Sequence, residues 1–231
     1  MLTEEMKDIL LASKEAGWVL EPETKRLLAS SGIDVPRYYW ATRIEEAIRF
    51  SATIGYPVVG KVVSPKVIHK SEKDGVEVGI KNEEELRETF NRFGKIDGFE
   101  GMLVEEMLSG MELIIGAKVD FQFGPVILFG MGGIWVEIYK DVILRMAPLS
   151  LCDIESMVKG LKGHALLEGY RGSKPLDLKG LERLLLVFSS LVMDIESLIQ
   201  SIDLNPVICS PERCVVADAR VMLKKSPPQL I

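Results

Sequence analysis

From residue 102 to residue 146 the sequence offers no helical period. The runs MLVEEML, ELIIGAKVD, PVILFGM, IWVEIYK and VILRMAP are β-branched or apolar. They follow one another across short breaks: SGM, FGP and the Gly132–Gly133 pair. Such runs, bounded by glycine and proline, read as strands. Breaks this short join only antiparallel neighbours, because a parallel crossover needs about a dozen residues or more. A chain with this stretch in its middle must build an antiparallel sheet and cover it with helices from elsewhere.

The flanks supply those helices. The first twenty residues read as a helix, with Met6, Ile9, Leu10 and Val19 at helical spacing among charges. A second helix starts after Pro22 and ends at Gly32. IDVPRYYWA is extended, and TRIEEAIRFSATIG is a helix with Thr42 as its cap and Gly55 beyond its end. YPVVGKVV and VEVGI are strands, and NEEELRETFNRFG is a helix capped by Asn82. From Leu149 the period is helical again, with LKGLERLLLVFSSLVMDI the longest candidate. IDLNPVIC and CVVADARVML close the chain as a β-hairpin. The order predicts an α+β fold in two lobes, residues 1–104 and 105–231, divided where helix–strand alternation gives way to strands alone.

Composition excludes several classes of function. Hydrophobic residues at 47% and charged residues at 27% rule out a disordered chain. No apolar run reaches the ~18–20 residues of a membrane helix. MLTEEMKDILL carries acids where a secretory signal carries basic residues, so a cytoplasmic location is expected. The net charge of −6 lacks the basic footprint of a nucleic-acid binder. Three cysteines make no disulfide framework and no zinc spacing. Cys209 and Cys214 do flank SPER, however, and face each other if that segment is a hairpin loop. A bridge there is unusual in a mesophile's cytosol and less so in a hyperthermophile's. Three Asn and three Gln beside many Glu, Lys and Arg lean thermophilic.

A few residues carry candidate chemistry. Lys61 sits in the apolar strand PVVGKVV, where a partly buried ammonium calls for an anion. It either contacts phosphate or snorkels out at a sheet edge. His69 lies in the polar loop SPKVIHKSEKDGV beside Lys70 and Ser71, as a nucleophile toward phosphorus or as a solvated side chain. Glu105, Glu106 and Glu112 surround a strand–turn–strand. Adjacent Glu105 and Glu106 point to opposite faces, so at most one of them faces a given pocket. An acid in such a place accepts from ribose hydroxyls or protects a sheet edge. FGPVILFGMGG matches no phosphate-loop pattern, but Gly130, Gly132 and Gly133 permit close backbone approach. His164 reads as a helix-start residue, and Arg171 between glycines is weak evidence for an anion site. In the final hairpin, residues pair when their numbers sum to about 423, which sets Asn205 opposite Asp218. An amide oxygen facing a carboxylate suits Mg²⁺, a hard cation; the alternative is a simple hydrogen-bonded pair.

Read together and in order, GYPVVGKVVSPKVIHKS, LVEEML, GMELIIGAKVD, FGPVILFGMGG, VEIYKDVILRMAPL, GYRGSKP, DLNPV and VVADAR resemble the ATP-grasp domain of the nucleoside-diphosphate-forming acyl-CoA synthetases. More closely, the chain looks like the separate beta subunit of an archaeal ADP-forming acetyl-CoA synthetase. The resemblance implies ADP or ATP held with Mg²⁺ between two α+β lobes. It implies Lys61 as the phosphate-binding lysine, Glu105 with Glu106 and Met107 as the adenine hinge, and Glu112 as the ribose carboxylate. It further implies Asn205 and Asp218 as the Mg²⁺ ligands and His69 as a carrier of a phosphoryl group to ADP. Asp203 stands where relatives carry a Glu that steadies a phosphohistidine, and Gly60 replaces a large apolar residue. A CoA-binding alpha subunit is the implied partner, in a heterotetramer of two alpha and two beta chains, with no nucleic acid or membrane involved. The competing expectations are an ATP-grasp carboxylate ligase of another kind, which needs no histidine at position 69, and a nucleotide-sensing regulatory subunit without turnover.

Overall fold

Thr3 opens the first helix by accepting the N–H of Met6 on its hydroxyl. The computed structural model describes residues 2–68, 70, 74–133 and 139–224. Helix α1 (Glu4–Ala12) buries Met6, Ile9 and Leu10 and stops well short of residue twenty. Gly17 turns the chain at φ 77°, and β1 (Trp18–Val19) runs extended. It is followed by α2 (Glu21–Ser30), which Gly32 closes at φ 87° with Ile33 N–H bonded back to Leu28 O. Next come β2 (Tyr38–Ala41), α3 (Ile44–Ile54), β3 (Val58–Val63), β4 (Val76–Ile80), α4 (Glu83–Phe93) and β5 (Gly101–Glu106). The antiparallel stretch supplies β6 (Met111–Asp120), β7 (Gly124–Met131) and β8 (Val142–Met146). Of the expected strand IWVEIYK, residues 134–138 lie outside the described residues. The chain ends with α5 (Leu151–Gly160), α6 (His164–Leu167), α7 (Leu178–Ile195), β9 (Ile199–Cys209), β10 (Cys214–Val216) and β11 (Ala219–Leu223).

Two compact units result. The smaller holds Leu20–Pro22 and Pro36–Leu108. Its four-stranded sheet has the order β2-β5-β3-β4, and its own core includes Val58, Val62, Ile80, Leu86, Phe93 and Met102. Asn82 caps α4 as expected, accepting the N–H of Glu85. Helix α3 is closed differently from the Thr42 cap expected. Glu46 reaches back and accepts from the N–H groups of Thr42 and Arg43 and from the Thr42 hydroxyl.

The larger unit holds Met1–Val19, Glu23–Val35 and Ser109–Ile231. Its sheet runs β1-β11-β9-β6-β7-β8, with β10 also on β9, and all of these pairings are antiparallel. One face is buried by α7, whose Leu181, Leu184, Leu185, Phe188 and Val192 enter the core. The units therefore differ from lobes at 1–104 and 105–231. Most of the first 35 residues belong to the larger unit, because Trp18 and Val19 pair with Met222 and Val221 and because Leu10, Leu27 and Leu28 fill its core.

Candidate functional site

In the smaller unit, Lys61 lies on β3, between β5 and β4, so it is not an edge residue free to snorkel. Its side chain is 7% exposed, and its ammonium is held by Glu21 at 2.7 Å and Glu105 at 3.1 Å. Those carboxylate side chains are 2% and 3% exposed. Glu21 also pairs with Lys70. Lys61, Lys70, Glu21 and Glu105 thus belong to one buried cluster of opposite charges. Strand geometry explains half of it. Glu105 sits opposite Val59 on β5, two residues from Lys61 and on the same face. Glu106 points the other way and accepts from the N–H and Nε of Arg37, both at 3.0 Å. The two adjacent glutamates do diverge, and the side chain of Glu105, expected at the adenine hinge, is committed to Lys61. Met107, just past β5, is 45% exposed. His69 lies outside the described residues.

Gly60, the expected packing anomaly, is explained by its neighbours. A Cβ there would meet Ile80 Cδ1 at 3.1 Å and Met102 Sδ at 3.2 Å, so those long side chains occupy the space of a larger residue.

In the larger unit, the register of the final hairpin is the one predicted. Cys214 pairs with Cys209, Val216 with Val207, Ala219 with Leu204 and Arg220 with Asp203. Asp218 falls in the interval between β10 and β11, opposite Asn205 of β9, whose N–H bonds to Asp218 O at 3.1 Å. Leu204, Val207, Ala219 and Val221 face the core, so Asp203 and Asn205 share the other face of β9. Asp203 is paired with Arg220 at 3.2 Å, and Asp218 accepts the N–H of Ala219 at 2.8 Å. Glu112 is an exposed side chain on β6, which pairs with β9. The Gly132–Gly133 pair is explained by it. A Cβ on Gly132 would lie 2.8 Å from the Glu112 carbonyl, and Gly132 N–H donates to that carbonyl at 2.8 Å. Gly133 takes φ 59°, as its expected freedom allows. Cys209 and Cys214 are joined in a disulfide across β9 and β10. His164 opens α6, as expected.

Among the described residues no three His, Cys, Asp or Glu side chains cluster as a metal cage. The Asn205–Asp218 pair fits Mg²⁺ nonetheless, because Mg²⁺ is bound through one or two protein oxygens, with phosphates and water completing its shell. A cavity of about 640 Å³, lined by Lys118, Phe123, Val126, Leu144 and Met146 among others, includes none of the expected site residues. Sequence reasoning missed two residues. Glu21 and Lys25 lie on α2 at the spacing of Thr24 and Leu28, which is one helix face, and all four are buried. A charge repeating on the inward stripe was the available signal.

A family model described as an ATP-grasp domain matches residues 11–223. The beta subunit of acetate–CoA ligase (ADP-forming) I from Pyrococcus furiosus is 41% identical over 213 residues, covering 89% of this chain and 91% of the relative. The structure of acetyl-coenzyme A synthetase 1 of Ca. Korarchaeum cryptofilum, in complex with coenzyme A and Ca-AMPCP, is 42% identical and superposes with a TM-score of 0.88. It covers 94% of this chain and 99% of that one. A second structure of that synthetase, with coenzyme A and Mg-AMPPCP, has its phosphohistidine segment pointing towards the nucleotide-binding site. It is 41% identical with a TM-score of 0.83, covering 95% of this chain and all of that one.

Proposed function

This chain belongs to the ATP-grasp family, and we propose that it is the nucleotide-binding beta subunit of an ADP-forming acyl-CoA synthetase. With a CoA-binding partner it takes acyl-CoA, ADP and phosphate to acid, CoA and ATP, reversibly. The observation that carries this reading is the Asn205–Asp218 pair, an amide residue on β9 hydrogen-bonded through its backbone to a carboxylate residue opposite it, between β10 and β11. Mg²⁺ bound there supplies charge neutralisation on the terminal phosphates. Lys61 adds a fixed positive charge, exchanging carboxylate partners for phosphate oxygens. Glu112 accepts from the ribose hydroxyls, and the backbone from Glu105 to Met107 borders the base. His69 carries the phosphoryl group. Its imidazole nitrogen–phosphorus bond breaks as a β-phosphate oxygen of ADP bonds to phosphorus; the ring nitrogen keeps the bonding pair, and with a proton on the other nitrogen the imidazole leaves neutral. Asp203 steadies an incoming histidine, released from Arg220 to do so. The full enzyme pairs two such chains with two alpha chains, in the cytoplasm.

His69→Gln tests the scheme, since glutamine hydrogen-bonds but forms no phosphoramidate. In the complex, overall turnover falls by several orders of magnitude while ADP affinity is unchanged, an effect confined to the chemical step. Acid-labile, base-stable label from γ-labelled ATP appears on the wild-type chain. Absence of label on the wild type, with undiminished transfer to the partner in the variant, removes His69 from the path.

A further inference from the structure

We infer that Lys25 is a positioning residue for Asp218, an inference that rests on the reading of Asp218 as a Mg²⁺ ligand. Lys25 is fully buried on α2, and its ammonium donates to the carbonyl of Ala217 at 2.6 Å, 192 residues away. A buried ammonium is costly without polar partners, so its place in a core helix needs a local reason.

The reason lies in the ladder. β10 ends at Val216 and β11 starts at Ala219, with the same register on both sides of the interval. Within it, Ala217 N–H donates to Pro206 O at 3.0 Å. In an antiparallel pair that bond has a reciprocal, from the N–H opposite to the carbonyl of Ala217. Residue 206 is proline and has no N–H to give. The Lys25 ammonium supplies a donor to that carbonyl from another element. The Ala217 carbonyl and the Asp218 nitrogen belong to one planar peptide unit. The N–H edge of that unit reaches Pro206 O at a long 3.4 Å, so anchoring the carbonyl edge at 2.6 Å holds the peptide plane that leads into Asp218. The same segment is tied to the chain just beyond α2 as well, by Val216 N–H to Asp34 O at 2.9 Å. Lys25 cannot drift, because Leu27 and Leu28 beside it are fully buried.

The test uses the full chain and Mn²⁺ as the probe, read by electron paramagnetic resonance in the presence of ADP. Metal-free ADP affinity is measured separately in chelator, and helicity by circular dichroism. Asp218→Asn is the reference variant. Lys25→Met is expected to bind Mn²⁺ about 10–100-fold more weakly, as loss of a partner that orients a ligand does. Metal-free ADP affinity and helicity stay at wild-type values, and Lys25→Gln, with a shorter donor, falls between. If Asp218→Asn weakens Mn²⁺ and Lys25→Met does not, the role of Lys25 is overturned while the metal site stands. If Asp218→Asn leaves Mn²⁺ unchanged, the metal site itself is overturned and the inference with it. If both Lys25 variants lose ADP binding and helicity together, or fail to fold, Lys25 serves the core rather than the ligand and the inference is overturned.

Discussion

Glu21→Gln isolates the buried charge cluster. Glutamine keeps the shape and a hydrogen-bonding group but removes a carboxylate shared by Lys61, whose side chain is 7% exposed, and Lys70. Breaking a buried ion pair by deleting one partner costs ~3–5 kcal/mol, because the survivor stays buried and undercompensated. Lys61 retains Glu105 at 3.1 Å, and Lys70 is less deeply buried, so the lower end applies, about 3 kcal/mol. In a chain of this size each kcal/mol moves the melting temperature by roughly 2–4 °C, which gives a drop of roughly 6–12 °C. Glu83→Gln is the control. It removes the half-exposed pair with Arg87, which as a surface helix pair contributes only ~0.3–0.5 kcal/mol. Calorimetry and urea titration of both variants at neutral pH measure the difference. ADP affinity of Glu21→Gln should not fall, since the variant removes a competitor for Lys61 rather than a ligand contact. A Glu21→Gln loss as small as the control's would refute the reasoning, and so would a stable variant with weakened ADP binding.

Three further outcomes are expected. Phe188→Ala empties a fully buried position in the larger core and should cost ~3–5 kcal/mol by urea titration, with little change if the surrounding helix collapses onto the gap. Thiol titration of the unreduced, denatured chain should count one group, Cys152, because Cys209 and Cys214 are bridged; a count of three would contradict the bridge. The Glu46 carboxyl is held down to about 2, from an ordinary 4.5, first by the Arg43 side chain and then by the N–H groups of Thr42 and Arg43. A depressed carboxyl stabilises the fold fully above its unfolded value, so this contribution is complete above about pH 4.5 and is lost as the pH falls toward 2. Carbon-detected NMR titration should place the midpoint there and move it upward in Arg43→Ala; an unmoved midpoint would assign the shift elsewhere.

The parts of the fold legible in the sequence were those decided by neighbours along the chain. The helix LKGLERLLLVFSSLVMDI spans the residues its period marks, because Asp177 caps it and one stripe is continuously apolar. The register sum of 423 held from Cys214 to Met222, with a one-residue shift only at Leu223, because a short loop leaves little freedom in how the strands meet. The first helix was overextended for a non-local reason. Trp18 and Val19 suit a helical stripe, yet each gains strand partners near the other end of the chain. No local period contains that pairing. The same cause moved the first 35 residues largely into the larger unit.

The candidate site divides in the same way. Asn205 and Asp218 could be matched by counting, since both lie on one hairpin. Lys61 was recognisable as a charge in an apolar strand, but whether it sits at a sheet edge depends on strand order, and strand order is not written in a strand's own residues. Its position between β5 and β4 turns a potentially solvated lysine into a buried cation that must be matched, and Glu21 and Glu105 match it. Glu105 could be placed only after β5 was known to lie beside β3. Glu21 was harder, because EPETKRLL reads as a polar first turn on any hydrophobicity scale. Burying Glu21 and Lys25 on the same helix face makes sense only once each has a distant partner, a lysine ammonium for one and a backbone carbonyl for the other. Charged residues that repeat on the inward stripe of a short helix therefore carry positional information that apolar patterning discards. In this chain they lead to the two strand segments that bear the phosphate and metal candidates.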